Sequence, residues 1–115
     1  MPTVLFIQDK PRAAAKVGPL LMKKGFDVRQ SSDIEPNQPP ADVVVVDSGD
    51  ASLTRATAAL DRRLAEPGRI IVTSKPPNSE LPSGVILVGG GKLVDEIVKL
   101  CVVVSAEKPA ETATN

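Results

Sequence analysis

The chain has 115 residues, with 14 Lys+Arg against 14 Asp+Glu and a formal net charge of zero, which argues against a nucleic-acid module that needs a basic surplus to displace counterions from phosphates. It contains no His, Trp or Tyr and only two Phe, so His-based catalysis, a His-containing zinc site and aromatic stacking platforms for bases are excluded. The length suits one domain with a single core, and the lone Cys101 allows no intramolecular disulfide and points to a reducing compartment.

The opening Met1-Pro2 leads straight into a strand-like run without a signal peptide, and no apolar run approaches the length of a membrane span. A soluble cytoplasmic protein is expected. Residues 3–7 read as the first strand. Asp9 is placed to cap the helix that follows, with Pro11 in its first turn, where a missing N–H costs little. Ala13, Val17, Leu20, Leu21 and Lys24 recur at helical spacing, and Gly25 supplies the stop. Gly18-Pro19 predicts a kink inside that helix. Residues 26–30 alternate apolar and polar, as an edge strand would.

Residues 31–40 carry three prolines and almost no apolar side chains, too broken a stretch for a useful helix. Residues 41–47 are the most informative part of the chain. Four consecutive valines, Val43 to Val46, end on Asp47, and such a β-branched run reads as a strand buried on both faces of a parallel sheet. Asp50 or Ser52 can cap the next helix, with Leu53, Ala56, Thr57, Leu60 and Leu64 as its buried stripe and Pro67-Gly68 as its close. Residues 70–73 form a further core strand. Residues 74–83 hold three more prolines and show no helical period.

Residues 85–88 are the last strand. After Gly89, Gly90 and Gly91, a final helix starts near Lys92 and buries Leu93, Val94, Ile97, Leu100 and Cys101. Its end at Val102, Val103 and Val104 is poor helix material, which predicts fraying or an extended exit. Residues 105–115 read as a disordered tail or linker, which places the domain at residues 1–104. The sum is an α/β chain with five strands and three good helices. Two crossovers are proline-rich loops that must span the sheet face and are expected to cover it poorly. Three strands end on polar residues, at Gln8-Asp9, Asp47 and Thr73-Ser74. In an open parallel sheet the ligand crevice lies outside the carboxyl ends of the strands, so Asp9, Asp47 and Thr73 are expected to converge there.

The segments VLFIQDKP (4–11), KKGFDV (23–28), VVVVD (43–47), RIIVTS (69–74) and GVILVGGGKLVDEIVKL (84–100), taken in this order, resemble the receiver domain of bacterial two-component response regulators, to about Val104. The resemblance implies a flavodoxin-like three-layer α/β/α fold with a five-stranded parallel sheet in the order 2-1-3-4-5. It also implies that Asp47 is the phosphoryl-accepting aspartate, that Thr73 is the switch hydroxyl with Ser74 the small residue after it, and that Asp9, Asp47 and the carbonyl of Gly49 bind Mg2+. The chain departs from the family pattern in three places. Gln8 stands where the first of two acidic residues would be, the family's lysine falls near Val88 or Gly89 and is absent, and the loop after Asp47 lacks the usual proline.

These departures bear on the chemistry. Phosphorylating an aspartate is mostly positioning and charge neutralisation, because both partners are anionic. An amide in place of a carboxylate weakens Mg2+ binding, even with Gln8 offering a neutral oxygen. Loss of the lysine removes stabilisation of the phosphoryl oxygens; Lys75 and Lys92 lie near the same edge and could substitute. Each residue also has a plainer role: Asp47 as a turn former before Gly49, Asp9 as a helix cap, Thr73 and Ser74 as an ordinary strand end, the two lysines as solvated charges, Cys101 as core packing. Gly89, Gly90 and Gly91 precede a helix and could form an anion loop, although they match no phosphate-binding motif.

The reading that fits best is a degenerate receiver, or pseudo-receiver, acting through protein–protein contacts in bacterial signalling. Its partner would be a histidine kinase or a downstream effector, homodimerisation is left open, and neither nucleic acid nor membrane is expected. One alternative is a working receiver phosphorylated on Asp47 by a histidine kinase. A further one is a small α/β module binding a phosphorylated ligand at Gly89–Gly91. The sequence holds no nucleophile–base pair or metal cluster, which argues against a free-standing enzyme.

Overall fold

A computed structural model describes residues 2–8, 12–47, 51–75 and 77–106. Along the chain lie β1 (Thr3–Gln8), α1 (Arg12–Lys23), β2 (Asp27–Ser31), β3 (Val43–Asp47), α2 (Ser52–Asp61), β4 (Ile70–Val72), β5 (Val85–Leu87), a 3₁₀ turn (Gly90–Lys92) and α3 (Leu93–Ala106). The five strands form one sheet in the order β2-β1-β3-β4-β5, and every pairing is parallel. The valine run is the middle strand, and Val43 to Val46 are all 0% exposed, as a strand covered on both faces requires.

Alternation along the strands divides the core in two. Val4, Phe6, Val43, Val45 and Ile71 pack with Ala14, Val17 and Leu21 of α1 and Leu93, Ile97 and Cys101 of α3. Leu5, Ile7, Val44, Val46, Ile70 and Val72 face the other way, onto Ala56 and Ala59 of α2 and onto Leu64 and Ala65. Among the described residues the connections 32–42 and 73–84 hold no helix. They nonetheless contribute Ile34, Ala41 and Leu81 to the second face, where Ile7, Val44, Val46 and Val72 are fully buried. Poor cover was expected there, and the loops instead keep that face dry by placing single apolar side chains on it.

Three local expectations are corrected. Leu20 is 48% exposed; the buried stripe of α1 is Ala14, Val17 and Leu21, which keeps the i, i+3, i+7 spacing without it. Helix α1 runs through Pro19 as one element, as a Pro placed inside a helix was expected to allow, and Ala15, whose carbonyl loses its usual donor there, and Pro19 itself lie on the exposed side. Helix α2 stops at Asp61 rather than at Pro67-Gly68; of its expected stripe Ala56 is buried, Leu53 and Leu60 are partly buried against the same core, and Thr57 is exposed, its place taken by Ser52 and Ala59. The stop is a left-handed residue, Arg63 at φ 56, with Arg63 N–H donating to Leu60 O at 3.0 Å and Leu64 N–H to Ala59 O at 2.9 Å, the pattern of a Schellman cap. Last, α3 continues through the valines to Ala106. The propensity deficit of three valines is a few tenths of a kcal/mol each, too little to end a helix anchored by Leu93, Ile97 and Cys101. No helix among the described residues is long and apolar enough to cross a membrane.

Candidate functional site

The parallel register aligns the ends of the central strands. Gln8 closes β1 directly beside Asp47, the last residue of β3. Thr73, the first residue after β4, is pinned to β3 by its N–H donating to Val46 O at 3.3 Å. Its hydroxyl then donates to Asp47 Oδ1 at 2.8 Å, in a half-buried setting. The structure thus brings together two of the sequence-derived site residues, Asp47 and Thr73, with Gln8 as their neighbour. Asp9 and Gly49 lie outside the described residues.

Ser74 is exposed, and its carbonyl accepts a hydrogen bond from Ser52 Oγ at 2.9 Å. Ser52 is fully buried and ties the start of α2 to the loop after β4. The sequence marked Ser52 only as a cap, whereas the N-cap position is Ala51, without a side-chain bond. The one available signal was a small hydroxyl at the first turn of a helix.

Gln8 is 5% exposed. Its Oε1 accepts from the Ala14 N–H of α1 at 3.4 Å, satisfying one of the orphan donors at that helix start. With the oxygen turned to α1, Nε2 is buried with no partner among the described residues. The oxygen expected to serve a cation is thereby occupied by the helix. A hard cation takes oxygen ligands; the described part of the site offers one carboxylate, Asp47, and beside it an amide already turned to α1. Of the three residues expected to hold magnesium, Asp47 alone is among the described ones. No group of three or more His, Cys, Asp or Glu suited to a metal occurs among the described residues.

Among the described residues the cationic side of the site is thin. Val88 is buried in the core against α3, its N–H donating to Val72 O at 3.0 Å, and Gly89 carries no side chain. Lys75 Nζ donates to Ser79 O at 2.7 Å, and Lys92 is exposed at the end of the 3₁₀ turn. Gly89 to Lys92 form a turn closed by Lys92 N–H donating to Gly89 O at 3.0 Å. A Cβ at Gly89 or Gly91 would meet nothing within 4 Å, so neither position needs glycine for space. Cys101 is a core residue: burial raises its thiol pKa, the Asp42 carboxylate adds to the rise, and Arg69 offsets part of it. Comparison with protein-family models, curated proteins and solved structures finds no match to this chain.

Proposed function

We propose that the chain is a receiver-like signalling domain with a flavodoxin-like fold, of the pseudo-receiver kind, which works by binding a signalling protein rather than by accepting phosphate. The observation that carries this reading is the pairing at the strand ends: Asp47 takes the Thr73 hydroxyl while the residue beside it is the amide Gln8. Phosphoryl transfer to a carboxylate needs positive charge on both sides of the incoming group. Here an amide stands where the neighbouring acid would be, bonded to α1, and of the two positions where the family's lysine falls, Val88 is packed in the core and Gly89 has no side chain. Binding of Mg2+ is weak on this reading, and the partner is a histidine kinase or a downstream effector.

Incubation with acetyl phosphate and Mg2+, followed by intact-mass measurement, should return the unmodified chain. A phosphorylated species that disappears in Asp47→Asn would overturn the proposal and favour the second reading, a working receiver. That alternative draws on the same 2.8 Å contact, because an acceptor carboxylate with a hydroxyl beside it is part of what the transfer requires. Its further sign would be amide shifts at Gln8, Asp47 and Thr73 on Mg2+ titration.

A further inference from the structure

At the opposite edge of the sheet, where β3 and β4 begin, there is a groove of about 730 Å³. Leu60, Ala41 and Pro67 give it apolar walls, and Asp42, Arg63 and Arg69 line it with charge. A space of this size is in the range that holds small molecules, and a mostly apolar lining with a few polar groups is the usual make-up of such sites.

The charges are unequally committed. Asp42 Oδ2 accepts the Thr3 N–H at 2.7 Å, and Arg69 pairs with Glu66. Among the described residues Arg63 has no ion pair or side-chain hydrogen bond. Its backbone is also unusual. Helix α1 ends in the same cap as α2, but there the left-handed position is Gly25 at φ 91, whereas α2 uses Arg63 at φ 56. Glycine takes that conformation without penalty and arginine does not. The second cap therefore sacrifices stability, and the residue that costs it is one that lines the groove.

We propose that this groove binds a small amphipathic monocarboxylate, with its hydrocarbon part against Leu60, Ala41 and Pro67 and its carboxylate on Arg63. Guanidinium and carboxylate match as planar, bidentate partners. Asp42 and Glu66 flank the site and disfavour a dianion, which separates a carboxylate from a phosphate monoester. The site is distinct from the Asp47 edge and does not depend on the receiver-like reading.

The test uses octanoate as probe, octanol as its uncharged control, and the full chain. Titration followed by backbone amide shifts should show saturable octanoate binding centred on residues 40–42 and 60–69. Octanol should bind about tenfold or more weaker, and so should octanoate to Arg63→Gly, the loss expected for one charge-assisted contact. Thermal melting of Arg63→Gly should be equal to or higher than that of the wild type, since the substitution relaxes the cap, so weakened binding cannot come from misfolding. Absence of saturable shifts, or a loss smaller than tenfold for either octanol or the Arg63→Gly chain, would overturn the proposal.

Discussion

The two faces of the sheet are covered by different means. On one, α1 and α3 lay Ala14, Val17, Leu21, Leu93, Ile97 and Cys101 over the strands. On the other, α2 alone approaches, through Ala56 and Ala59 with Leu53 and Leu60 partly buried beside them, and the remaining cover comes from Leu64, Ala65 and single side chains of two proline-rich connections, Ile34, Ala41 and Leu81. Both faces are dry at their centres. The difference appears at the rim: Leu87 at the end of β5 is 46% exposed, on the side where a second helix is missing. A helix buries a stripe; a proline-rich loop buries points. Loop prolines restrict the unfolded chain, which lowers the entropy lost on fixing those points.

The largest effect should come from the two-helix face. Ile97→Ala removes a fully buried side chain and is expected to cost about 2–5 kcal/mol in urea unfolding. Leu81→Ala, on a loop and only partly buried, should cost about 1 kcal/mol, because little of its transfer energy is realised. Equal losses would mean that the loops hold their face as firmly as helices do, and the contrast would fail.

A smaller effect sharpens the same comparison through pH. The Cys101 pKa is raised in the folded state, first by burial. Its contribution to stability is therefore full below the ordinary thiol pKa of about 8.5 and is lost as pH rises through the raised folded value. The stability advantage of wild type over Cys101→Ala should shrink as the urea midpoint is followed from about pH 7 to pH 10. A constant advantage would mean that this end of the two-helix face is wetter than its packing indicates.

Much of this architecture was legible in the residues. The β-branched runs located β3 and β4, because a doubly covered strand favours continuous Val and Ile, and the apolar run of β5 marked a strand that is less fully covered. The strand-end residues Asp47 and Thr73 were expected to converge and do so. What was hidden depends on contacts distant in sequence. Arg62, Arg63, Leu64, Ala65 and Glu66 read as good helix formers, so nothing local reveals that Arg63 turns left-handed once Leu64 finds the core beneath α2. Leu20 fits a helical stripe by spacing, but α1 is already filled by Leu21 and Val17. Ile34 and Leu81 are isolated among polar and proline residues, with no period to mark them as cover. The role of Gln8 was half legible: its place beside Asp47 followed from the strands, but the bond to Ala14 that commits its oxygen depends on how α1 returns.

The all-parallel sheet has a kinetic consequence. No strand meets its partner across a hairpin; Thr3 pairs with Asp27, Gln8 with Asp47 and Val72 with Leu87. Each ladder can zip only after an intervening segment has been closed, and that closure entropy is spent before any pairing rewards it. Refolding from denaturant should accordingly be slow beside a helical bundle of the same length.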